Sequence, residues 1–288
     1  TNFTEFKKFF GDFPQKDETD TNQLYLAHAI YGFFSNGGTR CYVVKAADIG
    51  KALEQFAAID EIAIVAAPGI TDKSSLDTIA VNCKTLGDRF AILDSPNETD
   101  LSSTATTLSN SDYAALYFPW IQVFDPVAKE AKYVPPSGHM AGIYARVDTQ
   151  RGVHKAPANE VVFGATGLQY NLSKAKQDGI NLGGINCIRS LNGNIRVWGA
   201  RTLGGEANGE FKYINVRRLF NYLRESIDEG TQWTVFEPNS PELWARIRRN
   251  INAFLTTVWR SGALFGNTPE QAFFVKCDEE TNPPELRD

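Results

Sequence analysis

Cysteine is sparse: Cys41, Cys83, Cys187 and Cys277 lie far apart and form no CxxC pair. Scattered thiols exclude a disulfide-stapled scaffold and a zinc knuckle, and predict reduced, mostly buried side chains folded in a reducing cytoplasm. Histidine occurs three times, at His28, His139 and His154, and none has a second His or a Cys at ligand spacing, so no metal site is expected. Long apolar runs are missing too. The longest, Ile62–Ala67, stops at Pro68 and falls far short of a bilayer span. No secretory signal is read in Thr1–Lys8. Positive charge is not in excess: 29 Lys and Arg stand against 34 Asp and Glu, a formal net charge of -5, which argues against a dedicated nucleic-acid binder. What is present is ordinary globular material, 42% hydrophobic and 22% charged. A chain of 288 residues buries about three quarters of its surface, enough for a large core without staples.

Catalytic signatures are equally scarce. No Walker-type phosphate loop, GxGxxG or GxSxG follows a strand, so no cofactor is expected. Gly164-Ala-Thr-Gly167 lacks the rest of a phosphate fingerprint and reads as a turn. Ser137-Gly-His139 sets a hydroxyl beside an imidazole, but Pro135-Pro136 before it makes a stiff turn the better reading. Asp60-Glu61 and Glu279-Glu280 are adjacent in loops rather than converging across a cleft. One enzyme-class alternative stays open, an α/β enzyme or small-ligand-binding domain using the C-terminal sheet edge near Pro68-Gly69 and Asp94. Another is a carbohydrate platform built on Tyr133 and Tyr144.

Strand and helix signals alternate through the first half. Arg40–Ala46, Glu61–Ala66, Arg89–Leu93 and Ala114–Phe118 read as strands, the second continuously apolar as a doubly covered strand should be. Between them Asp48 caps a helix through Leu53, Phe56 and Ala57, and a second helix through Leu76, Ile79, Ala80, Cys83 and Leu86 stops at Gly87. The pattern predicts an α/β fold with a mainly parallel βαβ sheet. From Pro119 to about Gly209 the chain is Pro- and Gly-rich, with short strands Glu160–Phe163 and Asn194–Trp198 and an ambiguous Met140–Arg146. The last third is helical. Asn215 is read as the cap of a helix with core residues Val216, Leu219, Phe220, Leu223 and Ile227, ending at Gly230. Ser240-Pro241 opens a second helix, with core residues Leu243, Ile247, Ile251, Phe254 and Val258 and a stop at Gly262. Gln232–Phe236 and Ala272–Lys276 read as strands. The expected organisation is an α/β domain over 1–210 with a short-strand insertion, then a helical part over 211–288.

Two basic stripes stand out. Arg246, Arg249 and Arg260 fall within about 60° of one another on a helical wheel, opposite the apolar face, with Glu242 spaced to pair with Arg246. Arg217, Asn221 and Arg224 share the outer face of the preceding helix. These arginines are candidate contacts for an acidic protein partner.

Several segments, in order along the chain, carry a family resemblance. Gly32-Phe-Phe-Ser-Asn-Gly-Gly-Thr-Arg-Cys-Tyr-Val-Val44 is similar to the FFxNGGxRCYVVR block of contractile tail sheath proteins. Ala66–Asp72, Tyr117–Trp120, Val134–His139, Lys155–Asn159, Trp198–Thr202, Asn215–Arg218, Phe236–Asn239 and Ala272–Cys277 follow in the family's order. The resemblance extends to sheaths of phage tails, R-type bacteriocins and extracellular injection systems. It implies a structural, non-enzymatic subunit that stacks as hexameric rings around an inner tube and contracts to drive the tube through a target envelope without nucleotide hydrolysis. Implied partners are other sheath subunits, the inner tube protein, and baseplate and terminator proteins, with no nucleic acid and no membrane insertion. The implied location is a virion tail or injection-system particle assembled in the bacterial cytoplasm. Terminal arms of the family donate strands to neighbours. The chain has no initiator Met and reads as a piece lacking both arms, so it is expected to be monomeric or weakly associating on its own. The Arg246, Arg249 and Arg260 stripe falls in the family's tube-proximal part.

Overall fold

The computed structural model describes residues 1–14, 25–98 and 108–286. Two compact units are present, Thr1–Arg218 and Leu219–Asp288.

In the first unit β1 (Ile64–Ala66), β2 (Phe90–Asp94), β3 (Ala114–Phe118), β7 (Ile185–Leu191) and β8 (Asn194–Trp198) form one sheet in the order β1-β2-β3-β7-β8. The first four are parallel; β8 returns antiparallel as a hairpin from β7. Every residue of β2 and β3 is buried. Their unbroken apolar runs are explained by helices on both faces. On one face Leu53 of α3 (Ile49–Ala57) and Leu76, Ile79 and Cys83 of α4 (Lys73–Leu86) pack on Val65, Leu93 and Leu116. On the other, Met140, Ile143 and Tyr144 of α5 (Ser137–Arg151) pack on Phe90, Ile92 and Tyr117. This second core also takes in Ile121, Val123 and Val134. They come from an antiparallel three-stranded sheet of β4 (Ile121–Asp125), β5 (Glu130–Val134) and β6 (Ala165–Leu168). α1 (Phe3–Phe10) and α2 (Leu26–Ser35) add a satellite core through Phe6, Ala27 and Ile30, joined by Phe13 just after α1, and α6 (Lys174–Asn181) precedes β7.

The Asp48 cap and the Gly87 stop behave as expected: Asp48 accepts from Lys51 N, and Gly87 closes α4 in the left-handed conformation at φ 75. Asp72, not singled out as a cap in the sequence, caps α4 by accepting from Ser75 N. Met140–Arg146 resolves as helix within α5. Glu160–Phe163 makes only a bridge, Val161 to Arg196. The strand expected over Arg40–Ala46 is a correction: the segment takes no regular secondary structure and pairs with no strand among the described residues.

α7 (Ile214–Thr231) starts in the first unit and continues into the second. Its start precedes Asn215, whose side chain therefore does not cap it and instead donates to His154 O. In the second unit Ser240 caps α8 (Pro241–Arg260) by accepting from Leu243 N. Leu243, Trp244, Leu255 and Val258 are its buried residues; Ile247, Ile251 and Phe254 are half-buried. Two expected strands are corrected here. Gln232–Thr234 is a 3-10 turn whose Trp233 Nε1 donates to Gly230 O, and Pro269–Ala272 is a helical turn (α9) followed by a stretch that pairs with no strand among the described residues.

Candidate functional site

The polar residues of the sequence blocks converge at the C-terminal end of the main sheet. Asp94 ends β2 and lies opposite Tyr117 of β3. Its Oδ1 accepts from Ser137 N at 2.8 Å; its Oδ2 accepts from Ser137 Oγ at 2.7 Å and Gly69 N at 3.1 Å. Pro136 precedes α5 and cannot cap it with a side chain, so Asp94 does so from across the sheet. Burial pushes its carboxyl up to about 6, against the three hydrogen bonds that favour the charge. Trp120 Nε1 donates to Ser95 O at 3.0 Å, closing the same end.

One turn into α5, the buried His139 ring lies against Gly32 of α2. Burial, with a smaller contribution from His28, lowers its imidazole to about 4. His28 Nε2 is 3.1 Å from Asp125 Oδ2, both almost fully enclosed. An α/β enzyme would present such groups to a ligand. Here Asp94 is 1% exposed with both oxygens occupied, so the carboxylate acts as a clasp between loops. The carbohydrate platform is corrected: Tyr144 is fully buried, with its hydroxyl 2.8 Å from that of Tyr117.

Two asparagines bind main chain in the manner of a ladder rung. Asn36 pairs with both main-chain groups of Phe163, and Asn186 donates to Arg201 O while accepting from Arg201 N, both at 2.7 Å. Asn36 sits at the C-terminal cap of α2, and nothing local in the sequence points to Phe163. Gly37, at φ 110, passes so close to Arg146 that an added Cβ would sit 2.8 Å from its Cβ.

The outer-face reading of α7 is reversed in its first turns. Arg217 is buried; its guanidinium meets Asp112 at 2.5 Å and lies 3.6 Å from the Phe211 ring centroid. Arg218 is buried as well, forked onto Asp148 at 2.8 and 2.6 Å and 4.9 Å from the Tyr144 ring centroid. Asn221 is buried, while Phe220, assigned to the core stripe, is 51% exposed. Periodicity gave the correct wheel but could not see that carboxylates and rings wait on the arginine side. Arg217 therefore offers no free charge to a partner, whereas Arg224 is exposed.

On α8 the structure places Arg246, Arg249 and Arg260 on the exposed side. Arg246 stacks 4.4 Å over Trp233 and forms no ion pair with Glu242; Arg249 and Arg260 have no ion-pair partner among the described residues. The same unit holds the three most exposed large apolar side chains described: Phe236 at 102%, Phe265 at 98% and Phe274 at 87%. Cationic and aromatic surface together are what a protein interface uses. Among the described residues no cluster of three potential metal ligands exists, and no helix is long and apolar enough to cross a membrane.

Residues 43–203 match the phage tail sheath protein central domain and residues 206–287 the phage tail sheath C-terminal domain. A tail sheath protein of Vibrio phage KVP40 is 28% identical over 62% of this chain and 26% of its own length. One from Burkholderia phage BcepMu is 29% identical over 62% and 38%. The chain thus spans well under two thirds of these relatives. Among solved structures, the sheath of an extracellular contractile injection system (PVC) in its contracted state superposes with a TM-score of 0.81 at 32% identity, covering 96% of this chain and 74% of that one. The baseplate of the anti-feeding prophage contains a chain with a TM-score of 0.77 at 30% identity, covering 94% and 76%. Over nearly all of its length, this chain belongs to the phage tail sheath protein family.

Proposed function

We propose that copies of this chain stack as hexameric rings around a rigid inner tube and, on contraction, drive that tube through a target envelope. The observation that carries the reading is the likeness, over 96% of the chain, to a sheath in its contracted state. The first unit supports it mechanically. A doubly covered sheet clasped by Asp94, Asn36, Asn186 and Arg218 is a body that moves whole, as a rearrangement between two subunit packings requires. Its energy comes from a metastable extended array rather than nucleotide hydrolysis, and the subunit is not an enzyme.

The second unit supplies association surface. Exposed Phe236, Phe265 and Phe274 suit contacts with neighbouring subunits, and Arg246, Arg249, Arg260 and Arg224 suit an acidic inner tube. Neighbours are linked by strands donated from terminal arms. Baseplate and terminator proteins bound the array at its ends, in a virion tail or injection-system particle assembled in the bacterial cytoplasm.

Negative-stain microscopy of residues 1–288, and of the chain extended at both ends, each with the inner tube protein, tests the proposal. Ordered tubes from the extended chain alone support both the polymer and the arms. Tubes from residues 1–288 overturn the role of the arms. No tubes from either overturns the sheath reading.

A further inference from the structure

We infer that Cys41–Lys45 is a sixth strand of the main sheet, held off the edge of β1 in this structure and able to close onto it. Among the described residues β1 is the end of its sheet and pairs only with β2, so half of its main-chain groups face outward with no described strand beside them. Across from that edge run residues 40–46, which take no regular secondary structure and make no backbone–backbone hydrogen bond among the described residues. The two are separated by an apolar groove of about 560 Å³, with Val43 and Val44 on one bank and Ile62 and Ile64 on the other. Helices α2 and α3 wall it. It therefore has the form of an interior strand position, covered on both faces, with no strand in it.

Four observations identify 41–45 as the occupant. First, residues 40–46, α3 and β1 follow one another as strand, helix and strand. α3 lies on the same face of the sheet as α4, which connects β1 to β2. A crossover of the same hand, from a strand to the next parallel neighbour, puts 41–45 on the open edge of β1 and nowhere else in the sheet. Second, the side chains already alternate correctly. Cys41 and Val43 pack against the cluster of Phe6, Phe13, Ala27 and Ile30 on the α2 side, leaving Tyr42 and Val44 for the α3 side. Third, the beginning of the segment is latched beside the beginning of β1: Arg40 Nη1 donates to Glu61 Oε2 at 2.7 Å, and Tyr42 OH donates to Glu61 Oε1 at 2.8 Å. Fourth, its root is immobilised by Asn36 and Gly37, so movement is confined to Thr39–Ala46.

A small molecule in the groove would supply apolar surface but leave both rows of main-chain groups unpaired. A strand satisfies both. Closure would give the otherwise rigid first unit one edge element with two positions, able to respond to what binds beside it without disturbing β2 and β3.

Amide hydrogen exchange on the intact chain reads the position directly. With the strap closed, alternate amides between Cys41 and Lys45 point at β1 and exchange roughly a hundredfold more slowly than unstructured chain. If all of them exchange at the unstructured rate while β2 amides stay protected, the inference fails. Proline scanning gives a second readout. In a closed strand only the residue whose N–H faces β1 is intolerant, so Val43→Pro and Val44→Pro should differ in denaturation midpoint. Equal tolerance of the two means the strap stays open and overturns closure.

Discussion

Asn36 and Phe163 are 127 residues apart, and the Asn36 side-chain amide binds both main-chain groups of Phe163, donating at 3.0 Å and accepting at 2.9 Å. Asn36 is fully buried, and its Nδ2 also donates to Gly32 O at 2.9 Å. The Asn36→Ala variant leaves a buried N–H and C=O without partners and should lose about 3 kcal/mol. Asn36→Asp should lose more, since it keeps the acceptor, removes both donations and adds a buried charge. Urea denaturation of both variants checks the order; equal stability to the parent would show that water replaces the amide.

The buried pair Asp94 and His139 should pull stability in opposite directions over one pH range. Asp94 rises from 3.8 to about 6 on folding, so the folded state holds a proton that the unfolded chain has released, and this group adds stability as pH falls from 6 towards 4. His139 falls from 6.5 to about 4, so the unfolded chain takes up a proton that the fold refuses, and stability present above 6.5 is lost as pH falls. Each is worth about 3 kcal/mol across its window, and they largely offset. Relative to the parent, Asp94→Asn should weaken progressively from pH 6 to 4.5, and His139→Gln should strengthen. Differences that do not vary with pH would refute the assignment.

α2 and α5 cross at a distance that only glycine permits. A Cβ at Gly138 would lie 2.5 Å from Ala29 Cα, and one at Gly142 would lie 2.4 Å from Phe33 O. The obstructing atoms are backbone, so they cannot rotate away. Gly142→Ala should cost about 1 to 3 kcal/mol despite its better helix propensity. Thermal denaturation measures this, and an unchanged midpoint would mean the helices separate freely.

Two kinds of arginine should behave differently. Arg218→Ala removes the fork from Asp148 and should destabilise the isolated chain by about 3 kcal/mol or more. Replacing exposed Arg246, Arg249 and Arg260 with Gln should change its stability by no more than about 0.5 kcal/mol each. In the chain extended at both ends, the triple variant should weaken co-assembly with the inner tube. Normal assembly would remove these residues from the tube contact.

Much of the architecture was legible in residue order because its causes are local. The strands at Arg89–Leu93 and Ala114–Phe118 were legible, as were the Asp48 cap of α3, the Gly87 stop of α4 and the Ser240-Pro241 opening of α8. The double cover read into Glu61–Ala66 falls instead on β2 and β3, since β1 is half-buried. The family blocks were legible as well. What the blocks do was not, because each polar residue takes a partner far along the chain: Asp94 with Ser137, Asn186 with Arg201, Arg217 with Asp112. A helical wheel orients Arg217 and Phe220 relative to each other, yet the core face is decided by what folds against α7, and Asp112 and Asp148 make it the arginine side. Strand propensity at Arg40–Ala46 likewise named a strand, but pairing depends on whether the edge of β1 is within reach. Caps, periods and turns belong to the sequence because they act within a few residues; burial of charge and the pairing of distant main chain belong to the tertiary structure.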